Sequence, residues 1–205
     1  MDDFQSHLAN GIGCMLLRFS PADAHRIAMA GEYAETVHRG RWRKVSGQPF
    51  IVHPIGVATI LAEAGFGVDA VIAGLLHDAV EDSTATRADV EGRFGAHVWS
   101  LVAGVTNGHC LGSWRERKRH ALLRLSGVPA DCLAVKCADA IDNVRSISCD
   151  LDGFGDVVWQ CLRPKPQLKW YFESLLRLFD NRLCDARGQR LVAHFGSQVK
   201  AVFGE

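Results

Sequence analysis

The stretch Gly74-Leu75-Leu76-His77-Asp78-Ala79-Val80-Glu81-Asp82-Ser83 carries four groups that can bind a metal ion or move a proton within six residues. The residues leading into it, 68–76, are almost all apolar and lack proline, which predicts a buried helix. At helical spacing His77 and Glu81 share one face, and Asp78 and Asp82 share another about 100° away. The stretch therefore predicts a concave polar site at the end of an interior helix.

A purely structural interpretation of the same residues is that Glu81 and Asp82 solvate a helix end and that His77 is a core histidine. Carboxylates at a helix C-terminus oppose the helix dipole, however, so this is a poor place to put them for stability alone. We therefore favour a functional site.

The composition is that of one globular domain. The chain has 205 residues, of which 48% are hydrophobic and 22% charged, enough to close a single core. We predict an N-terminal appendage over residues 1–19 and a single domain over residues 20–205. Lys and Arg together number 23, as do Asp and Glu, so the chain lacks the global basic field that nonspecific nucleic-acid binding needs. An anionic ligand would have to meet a local basic pocket.

The cysteines and the N-terminus bear on the compartment. Seven cysteines, at positions 14, 110, 132, 137, 149, 161 and 184, form no CxxC pair, which fits neither a disulfide scaffold nor a thiolate zinc site. The start of the chain is acidic, and we find no targeting segment and no membrane span. These features predict a protein of the reducing cytoplasm.

Helical signals recur along the chain, and no alternating β-period of useful length interrupts them, so we predict an all-α fold. Ser20, Pro21 and Asp23 have the pattern of a helix start, and Thr86 with Asp89 has the spacing of a capping box. Residues 150–156 read as an acidic, glycine-containing loop. Helices are predicted over residues 20–40, 54–64, 68–76, 84–94, 96–105, 113–125, 133–146, 165–182 and 190–203.

Two other segments carry candidate ligand groups. Residues 39–44 hold four cations and Trp42, a combination that can clamp phosphate and stack on a base, or can simply be a solvated loop. This loop leads into His53, at the start of a helix. Residues 133–146 form an apolar helix that nevertheless carries Asp139 and Asn143 on one face. Charges are rarely kept in a core unless they are paired or coordinate something.

Together, His53, His77, Asp78 and Asp139 make two imidazoles and two carboxylates drawn from three segments. Such a mixed set suits a divalent ion such as Mn²⁺, Mg²⁺ or Fe²⁺ that keeps open positions for water. Glu81 or Asp82 could then orient or deprotonate that water.

Four linked motifs identify a family resemblance. They are 46-SGQPFIVHP-54, 74-GLLHDAVED-82, 94-FG-95 with 101-LVAGVT-106, and 135-VKCADAIDNVRS-146. In this order they resemble the HD-type hydrolase domain of the RelA/SpoT alarmone family, in particular its small, stand-alone hydrolases. The resemblance implies an all-α HD fold and a Mn²⁺-dependent 3′-pyrophosphohydrolase that converts (p)ppGpp to GDP or GTP and pyrophosphate.

The same resemblance assigns roles to individual residues. The predicted metal ligands are His53, His77, Asp78 and Asp139, and the predicted water-activating pair is Glu81 and Asp82. The predicted nucleotide-binding residues are Arg43, Lys44, Ser46, Asn143 and Ser146. From their charge alone, we add as candidate phosphate contacts Lys136, Arg145, Arg117 and Lys118.

The chain departs from the family pattern at Val45, Gln48, Phe50 and 141–142, where the family commonly has Leu followed by His or Tyr. We expect none of these residues to touch the predicted metal ligands. Because the base-reading loop is among the departures, an adenosine analogue such as ppApp stays open as substrate. The alternatives are an HD phosphohydrolase acting on NADPH or another nucleotide and a non-catalytic nucleotide-binding regulator. A regulator should have lost a ligand or the Glu81-Asp82 pair, and here none is lost.

Overall fold

The computed structural model describes residues 12–13, 15–106, 108 and 111–204, without the side chain of Asp82. Within these residues the chain is helical apart from its connections, and an isolated β-bridge joins Trp42 to Pro49 across the basic loop. The all-α prediction is confirmed. The helices are α1 (Pro21–Val37), α2 (Val52–Glu63), α3 (Val68–Leu76), α4 (Ala79–Asp82), α5 (Arg87–Phe94), α6 (Ala96–Val105), α7 (Trp114–Leu125), α8 (Ala130–Phe154), α9 (Val158–Cys161), α10 (Lys165–Arg182) and α11 (Ala186–Phe203).

Local capping explains where several helices begin. The hydroxyl of Ser20 accepts a hydrogen bond from the amide of Asp23 at 3.2 Å, and Pro21 occupies the first helical position, as predicted. Thr86 and Asp89 form the predicted reciprocal capping box at the start of α5. These bonds satisfy amides that lack a partner inside the helix.

The long helix α8 is the centre of the molecule. Leu133, Ile141 and Val144 on it are fully buried, and α2, α3, α6, α10 and α11 pack around it. Helix α2 also packs against α3 at Gly74, where a side chain would bring its Cβ within 2.9 Å of Leu61 and 3.3 Å of the Ala58 backbone. The glycine therefore allows the close approach that brings the ends of these two helices together.

Several helix boundaries differ from prediction. Residues 150–156 are mostly helical, because α8 continues to Phe154 and ends where Gly155 adopts a positive φ of 62°. Helix α11 begins at Ala186 under an Asp185 cap, earlier than expected. Helix α3 ends at Leu76, and a two-residue turn at His77 and Asp78 separates it from α4, so the predicted face relations do not belong to one continuous helix.

Of the predicted appendage, residues 1–11 and 14 lie outside the described residues, whereas Met15 is buried in the main core. The division into an appendage and one domain stays a prediction. Cys14 and Cys110 also lie outside the described part, and the described cysteines are free thiols: Cys132, Cys137, Cys149, Cys161 and Cys184. No helix in the described part of the chain combines the length and the apolar character needed to cross a membrane.

Candidate active site

Two buried imidazoles form the floor of the site. His53 lies in the first turn of α2, and His77 follows the last residue of α3. Nδ1 of His53 is 2.7 Å from a carboxylate oxygen of Asp142, and Nδ1 of His77 is 2.8 Å from the carbonyl oxygen of Gly74. Carbonyl oxygens and ionised carboxylates can only accept, so each Nδ1 carries the proton. In the neutral imidazole each Nε2 is therefore left with a lone pair.

The two Nε2 atoms face a pair of carboxylates. Oδ1 of Asp139, on α8, lies 3.2 Å from Nε2 of His53 and 3.6 Å from Nε2 of His77. Oδ2 of Asp78 lies 3.2 Å from Nε2 of His77 and 3.7 Å from Nε2 of His53. The four predicted metal ligands thus converge, although they come from three separate parts of the chain: the start of α2, the turn after α3, and α8.

Asp139 is the most firmly held of these groups. Lys136 donates to its Oδ2 at 2.6 Å, and the amide of Asn143 donates to its Oδ1 at 2.6 Å. Burial alone would raise the pKa of the Asp139 carboxyl, but the Lys136 ammonium and the two imidazoles hold that pKa well below its usual range. Asp139 is therefore an anion throughout the neutral range.

The surrounding carboxylates shift the pKa values of the two histidines upward. Burial alone would lower the pKa of His53, but its bonds to Asp139 and Asp142 raise it. Burial likewise opposes protonation of His77, yet the Asp78 carboxylate raises the pKa of His77 well above its usual value. The centre of the cluster therefore favours positive charge.

A divalent cation fits this arrangement. One ligand atom each from His53, His77 and Asp139 lie within 4.8 Å of one another. With the proton on Nδ1, the buried Nε2 of His77 faces only carboxylate oxygens, which cannot donate, and so has no hydrogen-bond partner among the described residues. Such an unpartnered buried nitrogen is costly unless it binds something, and two imidazoles with carboxylates suit a divalent ion. The cluster is a candidate divalent-metal site, with Asp78 beside it.

A sequence profile described as HD domain matches residues 30–153, which include all of these groups. The chain belongs to the HD domain family. Its Homo sapiens relative, named guanosine-3′,5′-bis(diphosphate) 3′-pyrophosphohydrolase, is 37% identical over 139 residues, which cover 66% of this chain and 77% of the relative. A protein of the same name from Aquifex aeolicus is 34% identical over 137 residues, or 64% of this chain. The match spans about a fifth (19%) of that longer relative.

Two solved structures share this HD fold. A crystal structure of a Listeria monocytogenes protein aligns with a TM-score of 0.68 at 35% identity, covering 75% of this chain and 99% of the other. A structure described as a metazoan ortholog of SpoT that hydrolyzes ppGpp aligns with a TM-score of 0.67 at 29% identity, covering 84% of this chain and 94% of the other. The relationship to RelA/SpoT hydrolases that the motifs indicated is confirmed.

A cavity of about 740 Å³ opens beside the candidate metal site of this HD domain, with Asp139 in its wall. Cations and aromatic rings share its lining with carboxylates. Its charged lining residues are Arg41, Arg43, Lys44, Lys118, Lys136, Arg163, Asp139 and Asp150. Its aromatic lining residues are Trp42, Phe50, Trp114, Tyr171 and Phe172. Such a pocket suits a polyanion that carries a stacking ring.

The predicted nucleotide-binding residues divide between the cavity and its margin. Arg43, Lys44, Asn143 and Ser146 line the cavity. Ser46 lies in the neighbouring turn, where its hydroxyl accepts a weak hydrogen bond, 3.4 Å long, from the Gln48 amide. The structure therefore brings four of the five together and leaves Ser46 beside them.

The predicted water-activating pair lies on the short helix α4. The Glu81 side chain is exposed, one turn beyond Asp78. The side chain of Asp82 lies outside the described part of the structure. Their catalytic role stays a prediction.

The four candidate phosphate contacts have different surroundings. Lys118 lines the cavity, with its ammonium 4.6 Å from the Tyr171 ring centroid. Lys136 also lines it but is paired with Asp139. Arg117 donates to the carbonyl of Gly112 on the exposed surface, and Arg145 donates to Asp142. Lys118 is thus the best placed of the four to meet a phosphate.

The prediction that residues departing from the family pattern do not contact the predicted metal ligands is wrong. Asp142 bonds directly to His53, and the Phe50 ring meets the His53 ring at 72° with centroids 5.8 Å apart. Asp142 was missed because it lies 89 residues from His53 in sequence. The cavity wall from α10, including Tyr171, was missed for the same reason. The one available signal was an Asp in an otherwise apolar helix.

Proposed function

We propose that this protein hydrolyses the 3′-pyrophosphate of ppGpp and pppGpp, releasing pyrophosphate and GDP or GTP. The observation that carries the proposal is the juxtaposition of the His53, His77 and Asp139 cluster with a basic, aromatic cavity, Asp139 belonging to both. The names of the human and Aquifex relatives support the same activity.

His53, His77, Asp78 and Asp139 would hold a divalent ion, and the family resemblance favours Mn²⁺. When bound, such an ion lowers the pKa of a coordinated water and neutralises phosphate oxygens. The reaction adds water across the bond between the 3′ oxygen and its phosphorus. Glu81 and Asp82 would orient that water and accept its proton, and the proton gained by the 3′ oxygen restores the hydroxyl.

The cavity cations would hold the phosphate chains. Burial, with the field of the nearby Lys136, lowers the pKa of Lys118. An incoming phosphate would offset both effects by supplying negative charge. Arg43 and Lys44 would approach the nucleobase, with Trp42 available to stack on it.

A cavity carboxylate favours guanine over adenine. Asp150 lines the cavity and is only 8% exposed. Burial raises the pKa of its carboxyl, and the positive charge of Arg43 opposes that rise. A carboxylate can accept from both N1–H and the 2-amino group of guanine, whereas adenine has an acceptor at N1 and no 2-amino group. Asp150 therefore supports ppGpp rather than ppApp as the preferred substrate.

Product analysis tests the proposal. The purified protein would be incubated with Mn²⁺ and, separately, with ppGpp, ppApp or NADPH, beside an Asp78→Ala control. We expect ppGpp to yield GDP and pyrophosphate, and the control to be inactive. Turnover of NADPH or ppApp with ppGpp left intact would overturn the substrate assignment. If none of the three compounds is turned over, the proposed enzymatic function is wrong. The free thiols support cytoplasmic localisation, as proposed from the sequence.

A further inference from the structure

We propose that Asp142 is a positioning residue for the metal centre, which holds His53 with Nε2 directed toward Asp78 and Asp139. Gly56 provides the space that the Asp142 carboxylate occupies. The inference rests on the metal centre of the proposed function and adds a residue that the family motif does not supply, because this position commonly carries His or Tyr.

The contact between Asp142 and His53 is short and buried. Oδ2 of Asp142 lies 2.7 Å from Nδ1 of His53, and the two residues are 6% and 2% exposed. Because the carboxylate can only accept, it selects the imidazole tautomer with the proton on Nδ1. It also restricts rotation of the ring and increases the basicity of Nε2, as carboxylates behind metal-binding histidines do.

The other oxygen of Asp142 is engaged as well. Arg145, one turn further along α8, donates to Oδ1. A buried carboxylate is costly unless its charge is paired. The guanidinium therefore pairs the charge of Asp142 and holds its carboxylate against the imidazole, forming a chain from Arg145 through Asp142 to His53.

Gly56 makes this chain sterically possible. It lies three residues after His53 on α2, facing α8. A Cβ on Gly56 would lie 2.1 Å from Oδ1 of Asp142 and 2.8 Å from Nη2 of Arg145. Any side chain at this position would therefore displace the carboxylate or the guanidinium.

His77 offers an internal comparison. Its Nδ1 is bonded to the carbonyl of Gly74 within the same turn, so it needs no distant partner. His53 lies in the first turn of α2, and its Nδ1 partner comes from α8 instead. The orientation of His53 thus depends on the crossing of α2 and α8, and Asp142 is the group that fixes it.

Calorimetric titration of the metal-free protein with Mn²⁺ measures the effect directly. The variants are Asp142→Asn, Asp142→Ala and Gly56→Ala, and the matched control is Asp152→Asn, an exposed Asp on the same helix. We expect affinity to weaken about tenfold in Asp142→Asn and up to about 100-fold in Asp142→Ala and Gly56→Ala. The control should match the wild type, and circular dichroism would identify any variant that fails to fold.

Kinetics separate positioning from a general loss of structure. In folded variants the Mn²⁺ concentration for half-maximal activity should rise by the same factor as the dissociation constant, with the KM for ppGpp unchanged at saturating Mn²⁺. If Asp142→Ala does not fold, Asp142→Asn and Gly56→Ala decide the question. The inference would be overturned if Asp142→Asn, together with either Asp142→Ala or Gly56→Ala, bound Mn²⁺ with an affinity within about twofold of the wild type.

The outcomes also separate this inference from the proposed function. If the wild type binds no Mn²⁺, the metal centre fails and the role of Asp142 fails with it. If the wild type binds Mn²⁺ but leaves ppGpp intact, the substrate proposal fails, and the affinities of the variants still decide the role of Asp142.

Discussion

The rings of His53 and His77 meet edge to face, with centroids 5.0 Å apart and planes inclined at 76°. The contact exists because α2 and α3 pack closely at Gly74, which places the start of α2 beside the end of α3. Each ring is bonded through Nδ1, to Asp142 or to the Gly74 carbonyl, which leaves both Nε2 atoms near Asp139. The two imidazole nitrogens and the Asp139 carboxylate are therefore already in place to receive a metal ion.

Removal of metal should abolish activity and lower thermal stability. A ligand that binds only the folded state at 100 times its dissociation constant stabilises that state by about 2.7 kcal/mol. We therefore expect chelation to stop ppGpp hydrolysis and Mn²⁺ to restore it, with a parallel rise in the unfolding temperature measured by calorimetry. An unfolding temperature that does not respond to Mn²⁺ in the wild type would contradict the candidate metal site.

Asp139→Asn should cost stability as well as metal binding. The Lys136 ammonium, 2.6 Å from Asp139 and 14% exposed, would be left as an uncompensated buried charge. Breaking such a pair costs about 3–5 kcal/mol, so we expect a loss of that order in urea unfolding of the metal-free protein.

Two further variants test the cause of that loss. The double variant Asp139→Asn with Lys136→Met should regain part of the stability and none of the activity. Asp78→Ala, at a more exposed carboxylate, should lose activity with a smaller loss of stability. Equal destabilisation by Asp78→Ala and Asp139→Asn would show that the pairing with Lys136 is not the cause.

Lys118 and Arg117 form a matched pair on α7. Lys118 lines the cavity, whereas Arg117 bonds to the exposed Gly112 carbonyl. A hydrogen bond to a charged group contributes about 1.5–3 kcal/mol, so Lys118→Ala should raise the KM for ppGpp about tenfold or more. Arg117→Ala should leave it unchanged, and steady-state kinetics with equal effects in both variants would argue against a specific phosphate contact.

Asp150 should control base selectivity. Asp150→Asn exchanges one acceptor oxygen for a donor, so guanine loses a favourable contact and adenine N1 gains one. We expect the ratio of kcat/KM for ppGpp to that for ppApp to fall about tenfold, as measured by competition in one reaction. A ratio that stays the same would place the base elsewhere in the cavity.

Asp69 should make stability depend on acid pH. Arg26 on α1 and His97 on α6 lie 2.7 Å and 2.9 Å from its carboxylate oxygens. Burial alone would raise the pKa of Asp69, but these partners lower it below its usual value of 3.8. The resulting stabilisation is present above the usual pKa and is lost as pH falls through the lowered value.

The matching variant is Asp69→Asn. Because this site is largely exposed to solvent, we expect a loss of about 1 kcal/mol or less at neutral pH. The urea unfolding curves of wild type and variant should converge as the pH falls below 4. A difference that persists in acid would show that the charge of Asp69 is not its source.

Much of the helical structure was predictable because its signals are local. The caps at Ser20 and Thr86 and the apolar run before His77 act within a few residues, and the structure has each of them where expected. Element ends were less predictable. The acidic segment after Asp150 looks like a loop, but α8, whose last buried residues are Ile147 and Asp150, continues through it to Phe154.

The sequence by itself determined the helical class, the family of the chain and the residue types of the candidate metal site, because periodicity, capping and motif spacing are properties of adjacent residues. Only the tertiary structure decided which groups stand behind those residues. The bond from Asp142 to His53 spans 89 positions and depends on Gly56 letting α2 and α8 approach closely. Such contacts follow from how helices cross, and no local pattern in the chain encodes that crossing.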